Sequence, residues 1–262
     1  MEPRASINGQ RSALDQAHVA VTDEGFARGD GAFETIGVWQ GRAFRLDDHL
    51  ARLVVSLRAA GLEEPDAGQL RTEIDRVLDG ASEDAALRIY VTASGTRVLT
   101  LGPQPSGRGV AHLAVHPAPW IRPLGTYGPA GAKTMSYLPN MAATRAAQRR
   151  GADDALLVAL EGWVLEGPTF AILWVADGRL YAPPVSLGIV DSVTRRTLLE
   201  LSDDEVIQEP RPLDHLLDAQ EVLACSAIRG VVAVRRVGDQ AFDAATPVCD
   251  RLAAALQQRR RA

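Results

Sequence analysis

Apolar and polar positions alternate with two different periods in the first third of the chain. Residues 32–38 alternate with the period of two that is typical of a half-buried strand, and residues 42–46 continue it after a short turn. Apolar residues then recur every three or four positions from Leu46 to Leu57, which predicts an amphipathic helix that Gly61 ends. A second helix is predicted over 67–79. This region therefore predicts strands covered by helices.

The rest of the chain mixes the same two periods without an internal repeat. The predicted strands are 85–93, 110–116, 154–160, 163–166, 171–176, 221–227 and 231–236, and the predicted helices are 138–150, 192–202 and a last one from about 246. A loop is predicted between the first two of these strands, and residues 117–132 are too rich in proline and glycine for either element. The pattern predicts an α+β fold in two domains, with the linker in this proline- and glycine-rich stretch.

Composition and charge narrow the classes of function. Hydrophobic residues make up 46% and charged residues 23% of the 262 residues, which is ordinary for a globular protein. A net charge of −5 argues against nucleic acid or an anionic membrane as the main partner. The chain shows neither a leader-like nor a membrane-spanning apolar run, which predicts a cytoplasmic protein. The histidines are scattered and the two cysteines lack a metal-ligand spacing, so no metal site is predicted.

Lysine is almost absent from this arginine-rich chain. Of the 28 basic side chains, Lys133 is the one lysine and the other 27 are arginines. Arginine keeps its proton at neutral pH because its pKa lies above ~12, whereas a lysine can become a free amine and attack a carbonyl group. Lys133 is therefore a candidate for Schiff-base chemistry, although composition alone explains it equally well as a surface lysine.

Three stretches of the sequence resemble one enzyme family, in the same order. They are Gly25–Leu57 (GFARGDGAFETIGVWQGRAFRLDDHLARLVVSL), Lys133–Leu138 (KTMSYL) and 151–174 (GADDALLVALEGWVLEGPTFAILW). They are similar to the fold-type-IV pyridoxal-phosphate enzymes, or class-IV aminotransferases, which include branched-chain and D-amino-acid aminotransferases, (R)-amine transaminases and aminodeoxychorismate lyases. The resemblance implies a small N-terminal α+β domain over 1–117, a linker over 118–132 and a larger C-terminal domain over 133–262 that carries the Schiff-base lysine, with a cleft between the domains.

The resemblance also implies the cofactor pyridoxal 5′-phosphate (PLP) and the residues that hold it. Lys133 would bind it as a Schiff base and then move the substrate α-proton. Glu166 would stand beside the pyridine nitrogen and keep it protonated, although without the family an exposed turn glutamate is the simpler interpretation. Arg52, in a His-x-x-Arg pattern, would bind the phosphate through its guanidinium fork, and Tyr137 would lie against the cofactor.

Two further segments match the phosphate side of the cofactor. Val193 and Thr194 begin a predicted helix, whose free N-terminal amides suit a phosphate group. Ser192 stands where relatives usually have glycine, which puts the shape of this loop in question. Ser226 and Ala227 match a second phosphate-side loop, in which relatives often have more hydroxyl groups.

Candidate substrate residues lie in the first domain. The resemblance implies that Arg97, which follows the 85–93 strand, holds a substrate carboxylate if its loop covers the cleft, but a surface-loop arginine explains it equally well. Arg88, on the strand itself, resembles the branched-chain branch of the family. Phe33 replaces a tyrosine of many amino-acid-specific relatives and makes one side of the pocket more apolar.

Several reactions agree with this resemblance. It favours a PLP-dependent transaminase that takes a small-molecule amino donor, with D-amino acids preferred and (R)-amines also considered, and a 2-oxo acid acceptor. Aminodeoxychorismate lyase and branched-chain L-amino-acid aminotransferase are the alternatives, since they need the same lysine and glutamate. A non-catalytic cofactor-binding or scaffold protein is a third class, which the presence of Lys133, Glu166 and Arg52 disfavours. Relatives are usually homodimers, so a homodimer is expected.

Overall fold

The computed structural model describes residues 2–105, 109–118, 130–243 and 245–261. Contacts between these residues divide them into two units. The first unit contains residues 2–105 and 130–137, and the second contains residues 109–118, 138–243 and 245–260. Both units combine strands with helices, which confirms the predicted α+β class.

The first unit is built on one six-stranded antiparallel sheet. Its strands are β1 (Arg4–Ile7), β2 (Gln10–Ala13), β3 (Gly31–Trp39), β4 (Arg42–Ala43), β5 (Ala85–Thr92) and β6 (Arg97–Pro103), and its helices are α1 (Glu24–Arg28), α2 (Leu46–Ala59) and α3 (Ala67–Leu78). The strand order is β2-β1-β6-β5-β3-β4, and all neighbours run antiparallel. The long central strands β3, β5 and β6 therefore lie side by side.

The two faces of this sheet differ because successive side chains of a strand point to opposite sides. On one face, alternate residues such as Ile36 and Leu87 are fully buried in a core with apolar residues of α2 and α3, among them Leu53. On the other face, Phe33 and its cross-strand partner Tyr90 are only half-buried. The helix-covered face thus supplies the core, and the half-buried face is free to take part in a site.

The second unit contains two sheets. Its strands are β7 (His112–Pro117), β8 (Asp154–Val158), β9 (Ala171–Ala176), β10 (Arg179–Tyr181), β11 (Val206–Ile207), β12 (Glu221–Ser226), β13 (Gly230–Val234), β14 (Arg236–Val237) and β15 (Gln240–Ala241), and its helices are α4 (Leu138–Arg149), α5 (Val193–Leu201), α6 (Leu213–Leu217) and α7 (Pro247–Arg261). One sheet has the order β11-β10-β9-β12-β13 and the other β15-β14-β7-β8. Strands β8 and β9 are buried along their whole length, which agrees with a sequence that is apolar except for Asp154.

Two of the sequence-predicted elements are wrong. The structure has strand β6 where the pattern predicted a loop. The pattern missed this strand because its apolar alternation is short and adjoins the glycine- and proline-rich region. Residues 163–166 were predicted as a strand but form only two isolated bridges, Val158 to Val164 and Trp163 to Pro212. The pattern also missed several elements of two to five residues, among them β1, β2, α1 and α6, which are too short to show a period.

The observed division of the chain differs from the predicted domain boundaries. Strand β7, expected in the N-terminal domain, pairs in parallel with β8 of the second unit. Lys133, expected in the C-terminal domain, belongs to the first unit because its carbonyl accepts a hydrogen bond from the Phe33 amide of β3 (3.0 Å). Residues 119–129 of the predicted linker lie outside the described residues. Backbone pairing, rather than the position of the linker, decides where each segment belongs.

Two further properties concern the part of the chain that the structure describes. None of its helices is long and apolar enough to cross a membrane. It also holds no group of three or more His, Cys, Asp or Glu side chains arranged to bind a metal ion.

Candidate cofactor site

Lys133 lies in a short segment that is fixed at both sides by backbone hydrogen bonds. Its carbonyl accepts from Phe33 of β3, and its amide donates to the Ser56 hydroxyl of α2 (3.0 Å). The side-chain Nζ lies 4.1 Å from the ring centroid of Phe33 and 5.4 Å from that of Tyr137. Tyr90 stacks against Phe33, with 5.8 Å between the centroids. The one lysine of the chain is therefore anchored through its backbone and surrounded by aromatic rings, on the half-buried face of the sheet.

Arg52 lies in a buried network with two residues whose roles the sequence did not predict. Its Nε and Nη2 each donate to a carboxylate oxygen of Glu34 at 2.7 Å, and His49 Nδ1 lies 2.8 Å from the same carboxylate. Burial alone would raise the pKa of Glu34, but Arg52 and His49 outweigh burial and lower this pKa to about 2. Because an ionised carboxylate can only accept, His49 donates through Nδ1. Burial lowers the pKa of His49, and the charges of Arg52 and Lys133 lower it further.

A sequence signal for this network exists. Glu34 occupies the apolar side of the alternating strand β3, between the core residues Ala32 and Ile36. His49 and Arg52 stand three positions apart, on one face of α2. A buried carboxylate needs a cationic partner, so an acidic residue on an apolar strand face predicts one nearby. The pattern indicates that Glu34 is unusual, but it does not predict which helix supplies the cationic partner.

Glu166 is held at the edge of the second unit's core. It is 6% exposed, and its carboxylate accepts from the Val190 amide at 3.2 and 3.3 Å. Its carbonyl accepts from the Leu157 amide of β8 (2.9 Å). A Cβ on the next residue, Gly167, would lie 2.1 Å from the ring of Phe170, so this glycine allows the ring to pack directly on the turn. The Glu166 carboxylate therefore has a fixed position and orientation, which an exposed turn glutamate would lack.

Val193 and Thr194 form the first turn of α5, as the sequence predicted. Both are buried, and the Ser192 hydroxyl caps the helix by accepting from the Arg195 amide (3.2 Å). The serine thus replaces the glycine of relatives without disturbing the start of the helix. The first amides of a helix have no intrahelical partner and point along its axis, which suits an anion.

Ser226 and Ala227 lie at the end of β12. The Ser226 hydroxyl accepts from the Arg229 amide (3.3 Å), which leaves its own proton available to donate. The Ala227 carbonyl accepts from an Arg260 Nη2 (2.9 Å). The turn after β12 is therefore fixed from both sides.

These segments of the second unit are neighbours. The Val190–Glu166 hydrogen bond places Glu166 beside the loop that leads into α5. Burial lowers the pKa of Arg195, whereas Asp191, Cys225 and Glu166 act to raise it, so this guanidinium lies within the electrostatic reach of all three. Helix α5 therefore starts next to both Glu166 and the end of β12.

The two candidate substrate arginines lie on opposite faces of the first unit's sheet. Arg88 of β5 is paired with Thr35 of β3 and lies on the half-buried face, as Tyr90 does. Burial raises the pKa of Tyr90, and the charge of Arg88 acts to lower it. Arg97 opens β6 on the helix-covered face, where its Nη2 donates to Glu73 of α3 at 2.8 Å. Glu73 is 2% exposed, so this is a buried ion pair. The geometry argues against the predicted role of Arg97, because its side chain lies on the helix-covered face of the sheet, opposite to the face of Phe33 and Tyr90.

Comparison with known proteins identifies the family. Residues 31–237 match the model of the family described as amino-transferase class IV. The chain belongs to this family. It is 32% identical, over 67% of this chain and 69% of the relative, to a "Bifunctional aminodeoxychorismate lyase / D-amino acid transaminase" of Mycobacterium tuberculosis. It is 25% identical to a "D-alanine aminotransferase" of Bacillus licheniformis, over 92% of this chain and 90% of the relative.

Solved structures agree with this assignment. A hypothetical aminotransferase from Mycobacterium tuberculosis in its PLP-bound form superposes with a TM-score of 0.88 and 26% identity, over 98% of both chains. A structure of the same name with α-ketoglutarate and PMP (pyridoxamine phosphate) bound superposes with a TM-score of 0.87 and 26% identity. The chain is thus a PLP-dependent class-IV aminotransferase with the fold-type-IV architecture.

The residues present fit PLP. The cofactor requires an amine, an acid for its ring nitrogen and a seat for its phosphate. Lys133 could supply the amine, the buried Glu166 could supply the acid, and the start of α5 could supply the anion seat. In the first turn of that helix, the buried Nε of Arg195 has no hydrogen-bond partner among the described residues.

Proposed function

We propose that this class-IV enzyme transfers the amino group of an amino acid, with D-amino acids preferred, to a 2-oxo acid. The observation that carries the proposal is the position of Arg88, which shares the half-buried sheet face with Phe33 and Tyr90. Phe33 in turn contacts Lys133, so one cation and several aromatic rings share this face of the sheet with the one lysine of the chain. This arrangement suits a substrate with one carboxylate and an apolar side chain.

Each residue has one proposed task. PLP, when bound, withdraws electrons from the substrate α-carbon. Lys133 Nζ attaches the cofactor and then accepts and returns the α-proton, for which the surrounding rings exclude water. Glu166 holds the ring-nitrogen proton, and the α5 start with Ser226 and Ala227 binds the phosphate. Arg52 is proposed as a phosphate ligand that Glu34 keeps in one orientation, and Tyr137 as a ring beside the cofactor.

The names of the relatives support this choice without excluding the lyase. The Mycobacterium tuberculosis relative is named for both D-amino acid transamination and aminodeoxychorismate cleavage, and the Bacillus licheniformis relative for D-alanine. Aminodeoxychorismate lyase is therefore the second candidate. The branched-chain L-amino-acid reaction is the third, because Arg88 would bind the carboxylate of an L-amino acid as well as that of a D-amino acid. The preference for D-amino acids therefore rests on the names of the relatives.

A substrate panel tests the proposal. Purified enzyme loaded with PLP is incubated with 2-oxoglutarate and either D-alanine, L-leucine or (R)-1-phenylethylamine, and separately with aminodeoxychorismate alone. We expect the highest kcat/KM with D-alanine. Conversion of aminodeoxychorismate to 4-aminobenzoate without any amino transfer would overturn the proposal. Borohydride reduction followed by peptide mass spectrometry should attach the cofactor to Lys133, and the Lys133→Ala variant should lose both this label and turnover.

Two matched arginine variants test the substrate site. Arg88→Lys keeps a charge but loses the planar fork, so we expect KM for D-alanine to rise roughly tenfold while KM for an amine without a carboxylate stays the same. Arg97→Lys should lower the unfolding temperature, because the ion pair with Glu73 is weakened, and should leave both KM values unchanged. The reverse pattern would assign the carboxylate to Arg97.

We also propose that the enzyme acts in the cytoplasm as a homodimer, in agreement with the sequence resemblance. Val21 and Phe26 of the first unit are 76% and 70% exposed, and such apolar side chains are suited to burial by a second copy of the chain. Sedimentation velocity measures the oligomeric state. A monomer at micromolar concentration would contradict this proposal.

A further inference from the structure

Arg195 carries a guanidinium that is almost completely removed from solvent. The residue is 2% exposed, and its Nη2 donates to the Pro183 carbonyl (2.9 Å) and to the Gln208 side-chain carbonyl (2.5 Å). Both of these acceptors are neutral. The carboxylate of Asp191 lies 3.8 Å from Nη1 and is itself 43% exposed, so solvent screens this ion pair. The buried charge of Arg195 is thus only partly balanced by the described residues.

A buried charge of this kind requires an anion. Isolated charges are rarely kept in protein interiors, because removing them from water costs far more than neutral hydrogen bonds return. Two observations indicate that the charge of Arg195 is incompletely compensated. Its Nε has no partner among the described residues, and burial lowers its pKa although the charges of Asp191 and Glu166 act to raise it. The side chain therefore leaves positive charge that an incoming anion can balance.

The position of Arg195 indicates where that anion would be. The residue lies in the first turn of α5, and its own amide closes the Ser192 cap. Its side chain connects this turn to residues that follow β10 and β11, since Pro183 and Gln208 lie just beyond those two strands. The guanidinium thus fastens the N-terminal turn of α5 to the adjoining sheet edge.

We infer that Arg195 is a positioning residue for the cofactor phosphate. Its buried charge lies behind the α5 N-terminus and attracts the phosphate, and its bonds to Pro183 and Gln208 hold this turn in place. This inference rests on the proposed phosphate seat at Val193 and Thr194. The helix N-terminus alone contributes only a partial positive charge. A full charge behind it in a medium of low dielectric strengthens binding of an anion without a direct contact. Arg195 therefore distinguishes PLP from cofactor analogues that lack the phosphate.

The test measures binding, not turnover. Apoprotein is titrated by calorimetry with PLP, with pyridoxal, which lacks the phosphate, and with inorganic phosphate. The variants are Arg195→Gln, Arg195→Lys and Gln208→Glu. Gln208→Glu keeps the guanidinium of Arg195 and neutralises it with a carboxylate. Residue 208 is exposed and therefore tolerates a charge. Gln69→Glu, an exposed position of α3, is the control with the same change of net charge.

We expect PLP and inorganic phosphate to bind roughly tenfold more weakly to Arg195→Gln and Gln208→Glu, with pyridoxal affinity within about twofold of the parent protein. Arg195→Lys should restore part of the loss, and Gln69→Glu should change nothing. Equal weakening of PLP and pyridoxal would show a purely structural role and overturn the inference. Unchanged PLP affinity in Gln208→Glu would overturn it as well.

Failure of this inference is distinguishable from failure of the proposed function. The titration needs no amino donor, so it gives the same answer whether the enzyme is a transaminase or a lyase. If Arg195→Gln does not fold, Gln208→Glu decides the question, because it retains the bonds of Arg195 and changes only its charge balance.

Discussion

Arg52 in the first unit, which is largely buried, and Arg195 in the second, which is fully buried, are both arginines in proposed cofactor-binding segments, yet their charges are balanced in different ways. Arg52 forms a two-pronged ion pair with Glu34, whose side chain is fully buried. Arg195 donates to two neutral oxygens, and its one carboxylate partner is more distant and partly exposed. The first arginine is neutralised within the protein, and the second is neutralised only in part.

The difference separates two uses of a buried charge. A bidentate pair fixes the direction of a guanidinium and holds it ready at low cost when a ligand arrives. A charge with neutral partners keeps its field, and so it attracts an anion but destabilises the protein while no anion is bound. The stability of the first unit is therefore expected to depend on Glu34. The stability of the second unit is expected to depend on an anion that binds near Arg195.

The largest expected effect comes from removing the acid of the first pair. Glu34→Ala removes the carboxylate that accepts two hydrogen bonds from Arg52 and should lower the free energy of unfolding by about 3–5 kcal/mol, measured by urea titration of the apoprotein. Glu64→Ala, which removes the exposed partner of Arg58, is the control and should leave the midpoint unchanged. A similar loss in both variants would contradict the special position of Glu34.

The same pair predicts a dependence of stability on pH. Glu34 has a folded-state pKa of about 2, below its ordinary value of 4.5, so folding favours the ionised form. The resulting stability is fully present above pH 4.5 and is lost as the pH falls from 4.5 towards 2. It amounts to about 3 kcal/mol. Urea titrations at several pH values should show this loss in the parent protein and a clear reduction of it in Glu34→Gln, and an equal slope in both would contradict the prediction.

The smallest expected effect concerns a neutral partner of Arg195. Gln208→Ala removes one acceptor and should lower the free energy of unfolding by about 1 kcal/mol, less than the loss in Glu34→Ala. Inorganic phosphate should stabilise this variant almost as much as the parent protein, because the charge of Arg195 and its bond to Pro183 remain. Thermal unfolding with and without phosphate measures both effects. A loss as large as that of Glu34→Ala would mean that the two arginines are balanced in the same way.

Sequence patterns were sufficient for the elements that carry the proposed site. Periodicity predicted β3, α2 and the start of α5, and the capping preference of serine explains why Ser192 does not disturb that start. The lone lysine drew attention to Lys133, which the structure places against aromatic rings. These features are local, since each depends on residues that are close together in the chain.

Charge pairing was beyond the reach of the sequence. Arg97 was interpreted as a loop residue because β6 was not predicted, and its partner Glu73 stands 24 positions earlier, on α3. An arginine in the sequence does not reveal whether a carboxylate will occupy its fork. That depends on which helix covers which face of the sheet.

The sequence by itself determined the family, the alternation of strands and helices, and the residue types on which PLP chemistry depends: one amine, a carboxylate at Glu166 and an abundance of arginines. Only the tertiary structure decided which arginines are neutralised. Glu34 meets Arg52 and Glu73 meets Arg97 through contacts between distant segments, whereas Arg195 meets neutral oxygens. The physical reason is that Coulomb energy depends on distance in space and on local dielectric, and neither is written in the order of residues.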